Sequence, residues 1–377
     1  MKNVDYGDNV KILTFVKKNI VFCIAAFAAV VTCFLVPPDK AYLDYFDWKT
    51  LSCLFLTLAV VCALRNIKFF TILARKLVSL SGNLRSLFLL LIIITFIGSM
   101  IIANDMALVT FLPLGYFALS VTKKEKYMAY LFVLQNISAN LGGMLTPFGN
   151  PQNLYLYSYF NIPTSEFCKI MLPAFLLAVV LLGLACIPIK PIQFKLKGDL
   201  PEKLNVKKTV LYCVLFVFSV LIIFRIIPFV LGLLVIPLIL FFVDRESLKM
   251  VDYSLLGTFF FFFIFAGNLS RLQVVNSVIS SLLGKDTLLV SVLSCQFISN
   301  VPSAILLSRF TTDYHGLLLG VNIGGTGTLI ASLASLITFS EFKLLYPKET
   351  KKYLKIFVVA NAVFLAILTV STKLFWL

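Results

Sequence analysis

Two asparagines, Asn104 and Asn300, stand where long apolar runs break off, in Ala103-Asn104-Asp105 and in Ser299-Asn300-Val301-Pro302. Each break is followed downstream by a glycine-rich stretch. Asn140 to Asn153 read NLGGMLTPFGNPQN, and Asn322 to Ser335 read NIGGTGTLIASLAS. These residue types suit ion coordination. Freed carbonyls and Asn, Ser and Thr side chains suit a hard cation such as Na⁺. Helices restarting after a break aim unsatisfied N–H groups and positive dipole ends at one point, which suits an anion. Polar ligands are therefore expected from Asn104, Asn140, Thr146, Asn150, Ser299, Asn300, Asn322, Thr326 and Thr328. Gly142, Gly143, Gly149, Gly324, Gly325 and Gly327 would let the backbone approach a ligand, and Pro147 would end a helix without wasting a donor. Asp105 is the one acidic residue expected at membrane depth. A carboxylate there reads as a cation ligand or proton carrier, or as a cap on the helix that follows; the roles can coexist.

The elements that must position these residues are membrane helices. The chain of 377 residues is 60% hydrophobic and 13% charged, with a mean hydropathy of +0.98, far from the make-up of a soluble domain. Apolar runs such as Ile20 to Val36, Leu87 to Ile102, Cys168 to Ile187 and Ile356 to Val370 approach the roughly 20 residues needed to span hydrocarbon. Backbone that leaves helical geometry at that depth needs protein or a water-filled cavity to receive its polar groups. Four breaks therefore imply a cavity. A single Gly pair would read as helix packing; two copies of Asn-x-Gly-Gly, each downstream of its own Asn-containing break, favour a site.

The net charge of +16 does not indicate nucleic acid, because lysine collects in cytoplasmic loops and no C2H2 spacing or RNA-binding signature is present. No Gly-x-x-x-x-Gly-Lys, His-Glu-x-x-His or Gly-x-Ser-x-Gly motif occurs, so the chain reads as no enzyme; a membrane-embedded enzyme remains the alternative from another class. The single histidine, His315, cannot build a histidine metal site, and the eight cysteines form no C-x-x-C pair. No cofactor is expected beyond a coupling ion.

The two halves look related. Asp47-Trp48 and Asp252-Tyr253 each open an apolar run, followed in the same order by Asn104 and Asn300, then by Asn140 and Asn322, then by Thr146 and Thr328. Order is kept while loops shorten, as in a diverged duplication. The expected fold is an all-α polytopic membrane protein of two inverted repeats, with re-entrant hairpins, discontinuous helices and about nine full spans. Residues 1–189 form the first repeat, with a hairpin near 87–120 and a broken helix near 127–160. Residues 190–208 are a basic cytoplasmic linker. Residues 209–377 hold a linking span and the second repeat, with a hairpin near 287–310 and a broken helix near 316–345. With the N-terminus cytoplasmic and the C-terminus outside, most of the 33 Lys and Arg fall on the cytoplasmic side. Inverted repeats with interrupted helices are an architecture of secondary transporters.

At TPFGNPQN, SNVPSAILLS and GVNIGGTGTLIASLAS the chain resembles the ion transporter superfamily that includes the divalent anion:sodium symporters, bacterial citrate transporters, arsenite efflux permeases and a class of Na⁺/H⁺ antiporters. The resemblance implies a scaffold domain and a moving transport domain, elevator-type motion, a small anionic substrate, Na⁺ or H⁺ coupling and a homodimer in the bacterial inner membrane. It implies a Na⁺ site near Asn104, Asp105 and Asn300. In the dicarboxylate branch each hairpin tip carries Ser-Asn-Thr. Here both asparagines and Ser299 match, while Ala103, Asp105 and Val301 depart. Asn104-Asp105 followed by Ala107-Leu108 is more similar to the arsenite-permease and antiporter branches. A citrate-like anion symporter and an arsenite/antimonite permease or Na⁺/H⁺ antiporter both stay open.

Overall fold

The protein is described from a computed structural model, which covers residues 19–193 and 204–376. The N-terminal lysines and most of the basic linker lie outside these residues. Eighteen α-helices follow one another: α1 (Ile20–Leu35), α2 (Trp48–Asn66), α3 (Phe69–Val78), α4 (Leu84–Ile102), α5 (Asn104–Val121), α6 (Met128–Gly142), α7 (Pro151–Tyr159), α8 (Thr164–Cys186), α9 (Val206–Ile223), α10 (Phe229–Val243), α11 (Arg245–Lys249), α12 (Tyr253–Arg271), α13 (Gln273–Lys285), α14 (Thr287–Ile298), α15 (Asn300–Leu307), α16 (Tyr314–Ile323), α17 (Leu333–Leu345) and α18 (Thr350–Phe375). No strand occurs among the described residues, only one isolated bridge between Asn83 and Gln193. Seven of these helices are long and apolar enough to cross a membrane. The chain is a multi-pass membrane protein.

The two halves repeat the same order: spans, an amphipathic helix (α3 or α13), a helical hairpin (α4–α5 or α14–α15), a helix broken in its middle (α6–α7 or α16–α17) and a closing span (α8 or α18). The caps repeat as well. Asp47 accepts from Thr50 N at 2.9 Å to start α2, and Asp252 accepts from Leu255 N at 2.9 Å to start α12, each satisfying one of the orphan amides of a first turn. The amphipathic helices α3 and α13 escaped sequence reading. They are too short to span, and their mixed residues read as loops between apolar runs.

The halves are not equal in size at the hairpins. The arms α4 and α5 have 19 and 18 residues, α14 and α15 only 12 and 8. By length alone the longer arms could be full spans. The chain reverses at Ala103, and α5 packs back along α4.

Helices α1 and α12 form a paired wall beside the hairpins. They run parallel, joined near their starts by Ser254 Oγ donating to Asn19 Oδ1 at 2.6 Å, and farther along by Asn268 Nδ2 donating to Thr32 Oγ1 at 3.2 Å. Past the far end of this wall, Arg271 donates to both carboxylate oxygens of Asp39, at 3.0 and 2.6 Å. That guanidinium holds the Asp39 carboxyl below its ordinary range.

Candidate functional site

Both hairpin tips turn through the same unusual backbone. Ala103 has φ 68° and ψ 155°, and Ser299 has φ 76° and ψ 157°. This region is strained for any residue with a Cβ and persists only where the surroundings enforce it. The asparagine after each tip then folds its side chain back in the same manner. Asn104 Oδ1 accepts from Asp105 N at 2.9 Å, and Asn300 Oδ1 accepts from Val301 N at 2.9 Å. Each carboxamide serves as an internal cap on the helix that its own residue begins.

The threonines repeat too. Thr146 Oγ1 donates to Met100 O at 2.8 Å, and Thr328 Oγ1 donates to Gln296 O at 3.0 Å. Both acceptors lie three residues before the tip, so each broken helix is tied to the first arm of its own hairpin. The two hydroxyls are thus committed to holding the tips in place.

One cavity of about 330 Å³ receives both tips. Its walls include Asn104 and Asp105 at the start of α5, Asn300 at the start of α15, Pro151 and Gln152 at the start of α7, and Leu333 at the start of α17. Four helix N-termini, two from each repeat, therefore border one space. The opposite wall is mainly apolar and comes from α1 and α12, with Ile24, Phe262 and Phe265. Asn19 and Asp252, at the starts of these wall helices, border the same cavity, which reaches along the wall as far as Ala28 and Phe265. Asp105 and Asp252 bring carboxylates to the lining, and among the described residues no Lys, Arg or His borders it. Asp105 Oδ1 is buried without a hydrogen-bond partner.

Behind the tips lies a buried amide network. Asn104 Nδ2 donates to Asn140 Oδ1 at 3.3 Å, and Asn140 Nδ2 to Asn136 O at 3.2 Å. Asn136 Nδ2 reaches Ser335 Oγ at 3.2 Å in the second repeat. Asn322 Nδ2 donates to Asn153 Oδ1 at 2.6 Å, while Asn150 Nδ2 donates to Asn322 Oδ1 at 3.3 Å. Asn150 Oδ1 and Gln152 Oε1 are buried acceptors without partners. Such groups are costly unless something completes them.

Of the residues expected to bind, Asn104, Asp105, Ser299 and Asn300 line the cavity. Asn140, Asn150 and Asn322 stand one layer behind it as the amide network. Thr326 bonds its own helix at Ile323 O, at 2.6 Å, and Pro147 is buried away from the lining. The glycines also depart from expectation. A Cβ on Gly142 would lie 2.2 Å from Phe96 O, one on Gly324 2.9 Å from Cys295 Sγ, and one on Gly327, at φ +133°, 2.1 Å from Gln296 Oε1. Gly143 and Gly149 press against each other's backbone, and Gly325 faces Asn300 Nδ2. All six let chain segments cross closely behind the tips; none borders the cavity. Sequence reading missed Gln152, Asn19 and Asp252. Gln152 lies within the quoted glycine-rich stretch and Asp252 opens an apolar run, while nothing in the local sequence marks Asn19.

Comparison with known proteins fits this architecture. A citrate transporter family profile matches residues 11–315. An uncharacterized transporter of Methanocaldococcus jannaschii is 36% identical over 78% of this chain and 80% of its own. Inner membrane protein YbiR of Escherichia coli is 29% identical over 81% of this chain and 82% of its own. Silicon efflux transporter LSI3 of Oryza sativa is 32% identical over 40% of this chain and 31% of its own.

Proposed function

The chain belongs to the citrate transporter family, and from that premise we propose that it is a Na⁺- or H⁺-coupled secondary transporter of a small anion. The carrying observation is the convergence of both hairpin tips and both helix restarts on one cavity that also holds the Asp105 carboxylate. Helix N-termini favour an anion there. Among the described residues the lining carries carboxylates and no basic side chain, and a coupling cation bound there supplies positive charge beside the anion. Asp105 and Gln152 both line the cavity, and their unpartnered Oδ1 and Oε1 are oxygen atoms of the type that a hard cation or a proton takes.

Movement in this reading is of the elevator type. The cavity at the tips runs along α1 and α12 from Asn19 and Asp252 to Ala28 and Phe265, and that wall is mostly apolar. The hairpins and broken helices slide along that wall, carrying their own polar site with them. By the lysine distribution the Asn19 and Asp252 end faces the cytoplasm, in a bacterial inner membrane, and the transporter works as a homodimer.

A second reading follows from the lining itself. Two carboxylates and no cation suit an uncharged hydroxylated solute, of the arsenite or silicic acid kind, or cation exchange without an anion. The relative named as a silicon efflux transporter points the same way. Purified protein in liposomes separates the readings, using labelled citrate, succinate and arsenite under imposed Na⁺ and H⁺ gradients, with Asp105→Asn in parallel. Gradient-driven carboxylate uptake that Asp105→Asn abolishes supports the first. Arsenite movement, or cation exchange alone, replaces it with the second.

A further inference from the structure

A separate cleft of about 260 Å³ lies between α3 and α5. Two guanidiniums flank it, Arg65 from the last turn of α2 and Arg75 from α3, with the hydroxyl-bearing Thr71 and Thr110 beside them. Among the described residues no carboxylate borders the cleft. Among the described residues neither arginine has an ion pair. Arg65 Nη1 reaches Met106 Sδ at 3.6 Å, and Arg75 lies 6.0 Å from the centre of the Phe117 ring. Two fixed forks of N–H donors without an anionic partner match phosphate oxygens.

The surroundings favour a lipid over a soluble ion. Helix α3 leaves the end of a span through Lys68, whose φ is 56°, so it lies where the membrane meets water. It buries Phe70, Ala74 and Val78 against the protein while Leu73 and Leu77 stay 47% and 37% exposed. Apolar side chains on an outer face beside basic ones are the mark of an interfacial helix. Phe117, 44% exposed at the cleft, offers a surface to an acyl chain. We propose that this cleft binds the phosphate headgroup of an anionic phospholipid, with its chains running out past Phe117 and α3. Because the cleft joins the helix after α2 to the second arm of the first hairpin, the bound lipid bridges two elements that must separate if the hairpin moves.

Native mass spectrometry of the intact protein in detergent, titrated with phosphatidylglycerol or phosphatidylcholine, tests this without reference to transport. Wild type should capture phosphatidylglycerol about tenfold more readily, as expected of two basic groups near one phosphate. Arg65→Gln with Arg75→Gln should erase that preference. The pair Arg65→Lys with Arg75→Lys should keep most of it, which separates lost charge from lost folding. A control pair, Lys249→Gln with Lys352→Gln, removes two surface cations that already have carboxylate partners and should leave the preference intact. Preference retained in the double glutamine variant overturns the site. Displacement of the lipid by millimolar inorganic phosphate overturns the lipid assignment and leaves a soluble-anion pocket.

Discussion

The two hairpin tips are built on one frame and finished differently. Ala103 and Ser299 share their backbone conformation, Asn104 and Asn300 cap their own helices through equivalent bonds, and Thr146 and Thr328 tie each tip from the same position. The next two residues diverge. The first tip continues with Asp105 and Met106, the second with Val301 and Pro302. In the second tip Asn300 N also donates to Ala331 O at 2.9 Å, a bond with no counterpart at Asn104 among the described residues. With Pro302 lacking an N–H, the first turn of α15 has its donors spent internally. The first tip keeps a carboxylate oxygen without a partner. The two tips share one frame, and only the first carries a carboxylate on it.

If the shared frame is essential, Asn104→Ala and Asn300→Ala should each abolish liposome uptake while membrane insertion stays normal. Normal rates in both would dissolve the site. The difference between the tips is probed next. Asp105→Asn should uncouple uptake from the cation gradient, and adding Val301→Asp to that variant should not restore coupling, because the first-turn donors of the second tip are already committed. Restored coupling would show the tips to be interchangeable.

Smaller effects concern stability. Thr146→Val and Thr328→Val each delete one bond to a hairpin carbonyl and should cost about 1 kcal/mol or less, with the half-buried Thr146 the more sensitive of the two; thermal unfolding followed by fluorescence would read the order. Ala103→Gly and Ser299→Gly relieve backbone strain of order 1 kcal/mol and should raise the apparent melting temperature by similar small amounts. A destabilised glycine variant at either tip would mean that the local geometry is not strained as drawn.

Much of the fold was legible because membrane insertion writes itself into sequence. Long apolar runs predicted the all-α, multi-pass architecture, and the helices do break off or restart at Asn104, at 143–150, at Asn300 and at 324–332. The site was legible in part. Asn104 and Asn300 reach the cavity as expected, since a polar residue at a helix restart is exposed wherever that restart points. The glycines misled, because an absent Cβ serves close backbone crossing as well as ligand approach, and local sequence does not say which neighbour comes near.

What the sequence determined by itself is where the chain must leave helical geometry and which residues are present to satisfy the freed groups, because hydrocarbon tolerates no other solution. What only the tertiary structure decided is which side of each break faces the cavity. Asp252 and Asp105 are 147 residues apart in the chain and border one space because α12 packs beside α1 and both flank the cavity at the tips. Arg65 and Arg75 face one cleft for the same kind of reason: α3 folds back across α5. Proximity between elements depends on how their apolar faces pack, and that packing is a property of the whole assembly.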